Sequence, residues 1–360
     1  MGDDGHGHRQ SRLFTTEEGE FDADRAREES LPVEDGELID TDELADHQRY
    51  VEGRGIYDER NRVNDLTGKE WKYATKSVIA EGYPPDLQHE LRSEHGGQKP
   101  PRLCAELIGR FSKAGDTVLD PFAGVGGTLL GASLCEHEGT GLREAIGFER
   151  NERWVDVYET VLEQENEERR ARGDPPLEPQ ELRHGDCADL IEDVPEHSID
   201  LLLTDVPYWH MDELEQTRNE RRTRESKLGS FDGATGDDGG DSNDGEPVAD
   251  EERTKAEWLA DMGEKFSRFA DAVDPTGHVV VFIGDMYRDQ SYEFLSADLA
   301  RAIESAAPLT LAANLIWYDP TKDLHVYGYP FSFVPSMVHQ NVLVFRLESE
   351  SESEAEDEQD

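Results

Sequence analysis

The chain of 360 residues has few cysteines and no long apolar run. Cys104, Cys135 and Cys187 are odd in number and lack the spacing of a metal site, which favours a reducing compartment over a disulfide framework. No run reaches the roughly 18 apolar residues of a membrane span, and no signal-peptide pattern follows Met1. We therefore expect a soluble, cytoplasmic protein without a membrane segment and without a bound metal.

Basic residues are scarce: 36 Lys and Arg stand against 83 Asp and Glu, for a formal net charge of -47. The apolar segments are too many and too regular for a disordered acidic chain. We interpret the charge as halophilic adaptation, because at about 1 M salt the Debye length is only about 3 Å and repulsion between carboxylates is felt only locally. The alternative is an acidic tail protein of a low-salt cell, which would concentrate its acid in a tail.

Two sequence patterns are also missing. No Pro-Cys dipeptide occurs, which argues against the covalent cysteine mechanism of ring-carbon cytosine methylation. There is also no Gly-x-Gly-x-x-Gly run, the fingerprint of nicotinamide dinucleotide binding.

Low-complexity segments define the expected domain organisation. Residues 1–48 are acidic and lack apolar periodicity, and residues 348–360 alternate Ser and Glu, so we expect both ends to be disordered. Residues 229–252 are rich in Gly, Asp and Ser and predict an acidic, flexible loop. Residues 49–347 then form one folded domain.

Within this domain, apolar segments alternate with helical ones, which predicts an α/β fold with a doubly wound, mostly parallel, seven-stranded sheet. The last two strands are joined by a helix-poor segment, which favours an antiparallel final strand. The predicted strands are Thr117–Asp120, Ala145–Glu149, Glu181–Asp186, Ile199–Asp205, His278–Gly284, Leu309–Tyr318 and Asn341–Leu347, and the predicted helices are Gly127–Glu136, Glu152–Arg170, Lys255–Ala272 and Tyr292–Ala306.

A glycine-rich loop follows the first of these strands. Gly124, Gly126 and Gly127 let the backbone turn sharply and approach a ligand, although a tight turn alone would also use them. Glu149 ends the next strand, where a carboxylate can accept hydrogen bonds from a ribose diol, and Asp186 ends the third, where it can reach an adenine amino group. Ligands of such sheets bind beyond the carboxyl ends of the strands.

A second polar cluster, Thr204-Asp205-Val206-Pro207-Tyr208-Trp209, closes a buried-strand pattern. This cluster suits the binding of an exocyclic amine. The lone pair of such an amine is delocalised, so the nitrogen must be held near-tetrahedral before the lone pair can attack a methyl group. Asp205 can accept one N–H, the backbone carbonyl of Val206 or Pro207 can accept the other, and Tyr208 can stack on a flipped base. The alternative is a capped turn with a core aromatic residue.

Three segments resemble motifs of the DNA amino-methyltransferases, which modify adenine N6 or cytosine N4. Asp120-Pro121-Phe122-Ala123-Gly124 resembles their first motif, and Asp205-Val206-Pro207-Tyr208 resembles their catalytic motif. The segment from Lys99 to Ile108 resembles the helix that packs beside the methionine portion of their cofactor. The similarity covers about residues 70–347. The family usually has Pro at the position of Val206, and Ser or Thr at those of Val125 and Gly127.

This resemblance implies a Rossmann-like S-adenosyl-L-methionine-dependent methyltransferase domain acting on DNA, with no covalent intermediate. It leaves open the target base, the recognition sequence and a cognate restriction endonuclease. It implies Asp205, Pro207 and Tyr208 as catalytic residues, and Asp120, Pro121, Phe122, Gly124, Gly126, Glu149 and Asp186 as cofactor-binding residues.

A short basic cluster follows the catalytic motif and stands out in so acidic a chain. Its position favours contacts with nucleic-acid phosphates, although a solvated helix face with internal ion pairs would look alike. Two other functions stay open: an RNA guanine-N2-type amino-methyltransferase, and a nicotinamide-dependent or non-catalytic cofactor-binding protein. The cluster contains Arg218, Arg221, Arg222, Arg224 and Lys227.

Overall fold

The computed structural model describes residues 44–207, 254–288, 290–324, 330 and 333–348. Most of the acidic segments predicted at 1–48, 229–252 and 348–360 lies outside these ranges, so those predictions stay open. The strands are β1 (Gln48–Val51), β2 (Gly55–Asp58), β3 (Val78–Ala80), β4 (Thr117–Asp120), β5 (Glu144–Glu149), β6 (Glu181–His184), β7 (Ile199–Asp205), β8 (Val273–Ile283), β9 (Met286–Arg288), β10 (Ser291–Glu293), β11 (Leu309–Tyr318) and β12 (His339–Leu347).

Eight helices of the described chain connect these strands, and short 3₁₀ turns cover Ser93–His95 and Ile191–Asp193. None of these helices is long and apolar enough to span a membrane. The helices are α1 (Gly68–Ala74), α2 (His89–Arg92), α3 (Pro101–Phe111), α4 (Gly127–His137), α5 (Glu152–Arg172), α6 (Cys187–Leu190), α7 (Lys255–Ala272) and α8 (Leu295–Ala306).

The central sheet has eight strands in the order β3-β11-β12-β8-β7-β4-β5-β6. β12 is antiparallel to both of its neighbours, and the other seven strands are parallel. The predicted α/β fold with a mostly parallel sheet and an antiparallel final strand is thereby confirmed. The chain leaves β4 towards β5 and β6, then returns to add β7 on the other side of β4. The topological switch point, where ligands bind in such sheets, therefore lies between β4 and β7.

Several elements differ from the prediction: the hairpins β1–β2 and β9–β10 and the short helices α1, α2 and α6 were not predicted, and β8 begins at Val273 instead of His278. The eighth strand, β3, is a three-residue edge strand paired with β11, too short to produce a recognisable alternation. The helix predicted from Tyr292 begins at Leu295 instead, because Ser291–Glu293 pairs with β9 in a hairpin. Asp285 Oδ1 accepts the Ser296 N–H at 2.9 Å and fixes this later start.

Helices cover both faces of the sheet, as a doubly wound fold requires. On one face α7 and α8 bury aromatic and aliphatic side chains such as Trp258, Phe266 and Leu299. On the other, α3, α4 and α5 pack their apolar faces against the sheet. α3 begins at Pro101, whose missing N–H costs nothing in the first turn, and Leu103 and Leu107 are fully buried one turn apart.

Candidate active site

Four carboxylates lie in a row along the carboxyl edge of the sheet. β7 ends at Asp205, β4 at Asp120 and β5 at Glu149, while Asp186 lies two residues beyond the end of β6 at His184. The strands are parallel neighbours in the order β7-β4-β5-β6, so their ends meet at one edge. The structure thus brings together the described side chains that were expected to hold a cofactor and a target amine.

Asp205 lies at the switch point and is mostly buried. Its Oδ2 accepts a hydrogen bond from Lys99 Nζ. Its Oδ1 is buried and has no hydrogen-bond partner among the described residues. Burial raises the pKa of Asp205, and the Lys99 ammonium opposes that rise. The site therefore holds a carboxylate with one oxygen anchored and the other available to a donor.

Asp120 is also buried and connects β4 to β7. One oxygen accepts the Thr204 hydroxyl at 2.6 Å and the Phe122 N–H at 3.1 Å. Burial raises its pKa to about 6, and the hydrogen bond from Thr204 opposes the rise. Asp120 was predicted to bind the cofactor. Its carboxylate stabilises the loop and the adjacent strand in addition, and the cofactor contact stays a prediction.

The loop after β4 needs its glycines for steric reasons. Gly124 has φ +52 and Gly126 has φ +74, in the left-handed region that favours glycine. A Cβ on Gly126 would lie 2.3 Å from Cδ2 of Tyr158, and one on Gly124 would lie 3.0 Å from Nε2 of His95. The first contact shows that Gly126 is required by the fold of the loop as well as by any ligand.

Pro121 and Phe122 contribute to the loop by packing. Pro121 is buried, and the Phe122 ring meets Phe269 of α7 edge to face at 6.0 Å between centroids. Phe122 therefore anchors the loop to the core. The structure supplies a packing role for it, and its predicted contact with a cofactor stays a prediction.

Gly127 departs from the family pattern for a reason that the structure makes clear. A Cβ at this position would lie 3.0 Å from the carbonyl oxygen of Lys99, a backbone atom that cannot swing aside. Glycine at the first position of α4 therefore lets the segment before α3 approach closely. This approach places Lys99 beside Asp205.

Glu149 and Asp186 are oriented by backbone N–H groups. Glu149 accepts Gly124 N–H at 3.0 Å through Oε2 and Asn151 N–H at 2.7 Å through Oε1, and burial raises its pKa. Asp186 was expected to end a strand, but it caps α6, accepting Ala188 N–H at 2.9 Å. Each carboxylate oxygen can accept more than one hydrogen bond, so both side chains can still bind a ligand.

Sequence reasoning missed several residues that shape the site. Trp258 of α7 donates its indole N–H to the carbonyl of Pro207 at 2.9 Å. This carbonyl is one of the two that were expected to accept an N–H of the amine, and it already accepts a hydrogen bond. His95 packs edge to face on Trp154 at 5.1 Å and lies over Gly124. Lys99, which binds Asp205, lay in a recognised motif, whereas Trp258 and His95 lay in none. The other contacts join segments far apart in sequence and carry no local signal.

The remaining predicted site residues lie outside the described ranges. They are Tyr208 of the catalytic motif and the basic residues Arg218, Arg221, Arg222, Arg224 and Lys227.

The sheet topology defines a doubly wound, Rossmann-like α/β fold whose switch point lies between β4 and β7. A family model described as DNA methylase, N6_N4_Mtase, matches residues 42–160. The match includes α3 and the glycine loop, which confirms the resemblance to the DNA amino-methyltransferases over about a third of the chain. It ends before the segment that contains Asp205.

The solved structures that are similar to this chain share low sequence identity with it. TrmN from Thermus thermophilus is 14% identical with a TM-score of 0.39, over 72% of this chain and 52% of that one. A protein from the same organism, described as a putative DNA modification methylase complexed with S-adenosyl-L-methionine, is 14% identical with a TM-score of 0.27, over 45% and 50%. A SAM-dependent methyltransferase from Aquifex aeolicus is 12% identical with a TM-score of 0.35, over 73% and 99%.

The chain spans about half the length of the first two of these proteins. No curated protein sequence matches it.

Proposed function

We propose that this protein transfers a methyl group from S-adenosyl-L-methionine to an exocyclic amino group of a DNA base, adenine N6 or cytosine N4. The observation that carries the proposal is the hydrogen bonding of the Asp205 carboxylate. Its Oδ1 is buried without a partner in the described part of the chain, next to the glycine loop at the switch point. A buried acceptor of this kind is costly unless a donor arrives, and the N–H of an amine is such a donor.

The residues along the edge fit this cofactor. Glu149 and Asp186 offer carboxylate oxygens to a ribose diol and an adenine amino group, and the buried Asp120 adds negative charge near a cationic ligand. The cofactor carries no phosphate, which agrees with an acidic edge that would repel one. When bound, it supplies an electrophilic methyl group on a sulfonium.

The protein's own part in the chemistry is positioning. Asp205 accepts one N–H of the amine, so the nitrogen becomes more nearly tetrahedral and its lone pair becomes available. The indole of Trp258 holds the Pro207 carbonyl and fixes the direction of the chain after Asp205. Tyr208 stacks on the flipped base, as sequence reasoning predicts.

The basic cluster at 218–227 contacts nucleic-acid phosphates in this proposal. At high salt, counterion release contributes little to affinity. Binding then depends on local basic contacts, on stacking and on hydrogen bonds to the base.

The proposal is tested by transfer of a labelled methyl group in molar salt, with unmethylated genomic DNA and total RNA as parallel substrates. We expect label in DNA, recovered as N6-methyladenine or N4-methylcytosine after digestion to nucleosides. Label that appears only in RNA would replace the DNA assignment by an RNA amino-methyltransferase. Absence of label in both would refute methyl transfer to nucleic acid.

A second prediction concerns Glu149 and the cofactor. Glu149→Ala should weaken binding of S-adenosyl-L-methionine by about 10- to 100-fold, because hydrogen bonds to a charged group contribute about 1.5–3 kcal/mol. Calorimetry in molar salt measures the change. Glu152→Ala is the matched control, since Glu152 is an exposed glutamate three residues further along. Equal affinities for Glu149→Ala and the wild type would exclude the ribose contact.

A further inference from the structure

Lys99 is a buried cation in an otherwise acidic site. It lies in the segment before α3, and its side chain reaches the end of β7, 106 residues further along the chain. Only 9% of the Lys99 side chain is exposed, against 20% of that of Asp205. Burying an ammonium costs free energy unless it is paired, and the ion pair with Asp205 Oδ2 provides that pairing.

The position of Lys99 is fixed from several sides. The two following residues are prolines, and Pro100 precedes the first turn of α3. The Lys99 carbonyl packs where a side chain on Gly127 would otherwise be. The Lys99 ammonium lies 5.3 Å from the centroid of the Phe282 ring and also donates to the carbonyl of Gly97 at 3.5 Å. A lysine held in this way can fix the direction of the group that it binds.

We propose that Lys99 is a positioning residue for Asp205, anchoring Oδ2 so that Oδ1 faces the N–H of the target amine. The inference rests on the proposed function, in which Asp205 is the acceptor of that N–H. It goes beyond that function because it assigns a task to a residue outside the catalytic motif. It also explains why one carboxylate oxygen is anchored while the other, which is buried too, has no partner in the described chain.

The same pair controls the charge of Asp205. Burial raises the pKa of Asp205, and Lys99 holds it down. Among the described residues, the other acidic groups near the pair are Asp120 on β4 and the Cys104 thiol on α3, whose pKa burial raises to about 12, so it stays neutral. Removing the Lys99 charge should therefore raise the pKa of Asp205. Because only the ionised carboxylate accepts the N–H strongly, the acid limb of the pH–rate profile should move to higher pH.

The decisive variant is Lys99→Met, which keeps most of the length of the side chain and removes its charge. We expect kcat to fall about 100-fold at neutral pH, since small misplacements cost this much. The acid limb of the pH–rate profile should move to higher pH by about one unit or more. The Kd for S-adenosyl-L-methionine should change less than about threefold. Lys99→Arg should keep the wild-type acid limb. Lys113→Met is the control. Lys113 precedes the first residue of β4, at the end of the strand opposite Asp120, and its ammonium donates to the Asn61 carbonyl.

An unchanged acid limb in Lys99→Met would overturn the proposal. So would a loss of cofactor affinity as large as the loss of kcat, which would make Lys99 a cofactor ligand instead.

A measurement without turnover separates this proposal from the proposed function. Melting temperatures at neutral pH are compared for Lys99→Met, Asp205→Asn and the double variant. If the ion pair forms, Lys99→Met leaves a buried carboxylate unpaired, and adding Asp205→Asn should restore part of the lost stability. Strictly additive losses would show that no pair forms and would overturn the inference. A different outcome is that the wild type transfers no methyl group while the effects of the two substitutions on stability are not additive. This outcome would refute the proposed reaction, and with it the positioning role.

Discussion

Asp205→Asn should lower the rate of methyl transfer by about 10²–10³-fold while leaving affinity for S-adenosyl-L-methionine within about threefold. An amide is similar in size to a carboxylate, but it is neutral and accepts the N–H of the amine more weakly. Losing one well-placed electrostatic contact in a buried site typically costs this factor. Affinity for the cofactor should hold because Asp205 is assigned to the target amine. Single-turnover transfer of labelled methyl to DNA, together with calorimetry, measures both quantities.

Asp200→Asn is the matched control for this experiment. Asp200 lies on the same strand at its opposite end, where its carboxylate accepts the N–H of Thr117 at 2.8 Å. It should affect stability and leave the turnover of the folded protein near the wild-type value. Undiminished transfer by Asp205→Asn would exclude the assigned mechanism, and a parallel loss of cofactor affinity would move Asp205 into the cofactor site.

Gly126→Ala should lower the free energy of unfolding by about 2–5 kcal/mol. A left-handed backbone costs a non-glycine residue roughly 1–2 kcal/mol, and overpacking a full interior adds roughly 1–3 kcal/mol. Tyr158 cannot move away easily, because it is 2% exposed and its hydroxyl accepts the Gln180 N–H at 3.2 Å. Denaturant unfolding in molar salt measures the loss.

Gly173→Ala separates the two contributions. Gly173 has φ +82, close to the φ +74 of Gly126, but no atom lies within 4 Å of its added Cβ. It should therefore show the backbone cost alone, about 1–2 kcal/mol. Equal losses for the two variants would show that the contact with Tyr158 is relieved by a shift of the helix, contrary to the expected clash.

Local patterns in the sequence predicted most of the sheet. The bounds of β4, β7, β11 and α7 agree with prediction, because each is an apolar run or periodic segment with a clear boundary. For α7 the boundary is a capping box, in which Thr254 and Glu257 bind each other's backbone N–H groups. β3 was missed because three residues at a sheet edge carry too little pattern.

The candidate site was predictable only in part. Asp120, Glu149 and Asp205 could be placed at one edge because each ends a predicted strand and parallel strands end together. Asp186 was placed on the strand although it caps the following helix, since the end of a short strand has no distinct signal. The motifs also indicated a family, and a match over residues 42–160 supports that indication.

The sequence by itself therefore determined the fold class, the carboxylates at the strand ends and the glycines of the loop, because these follow from local periodicity and backbone conformation. Only the tertiary structure decided how those groups are held. Lys99 meets Asp205 across 106 residues, and Trp258 meets the Pro207 carbonyl across 51. Such contacts depend on the order of strands in the sheet and on the close approach of α3 and α4 at Gly127. Neither leaves a local pattern, since long-range packing is settled only when the whole domain is assembled.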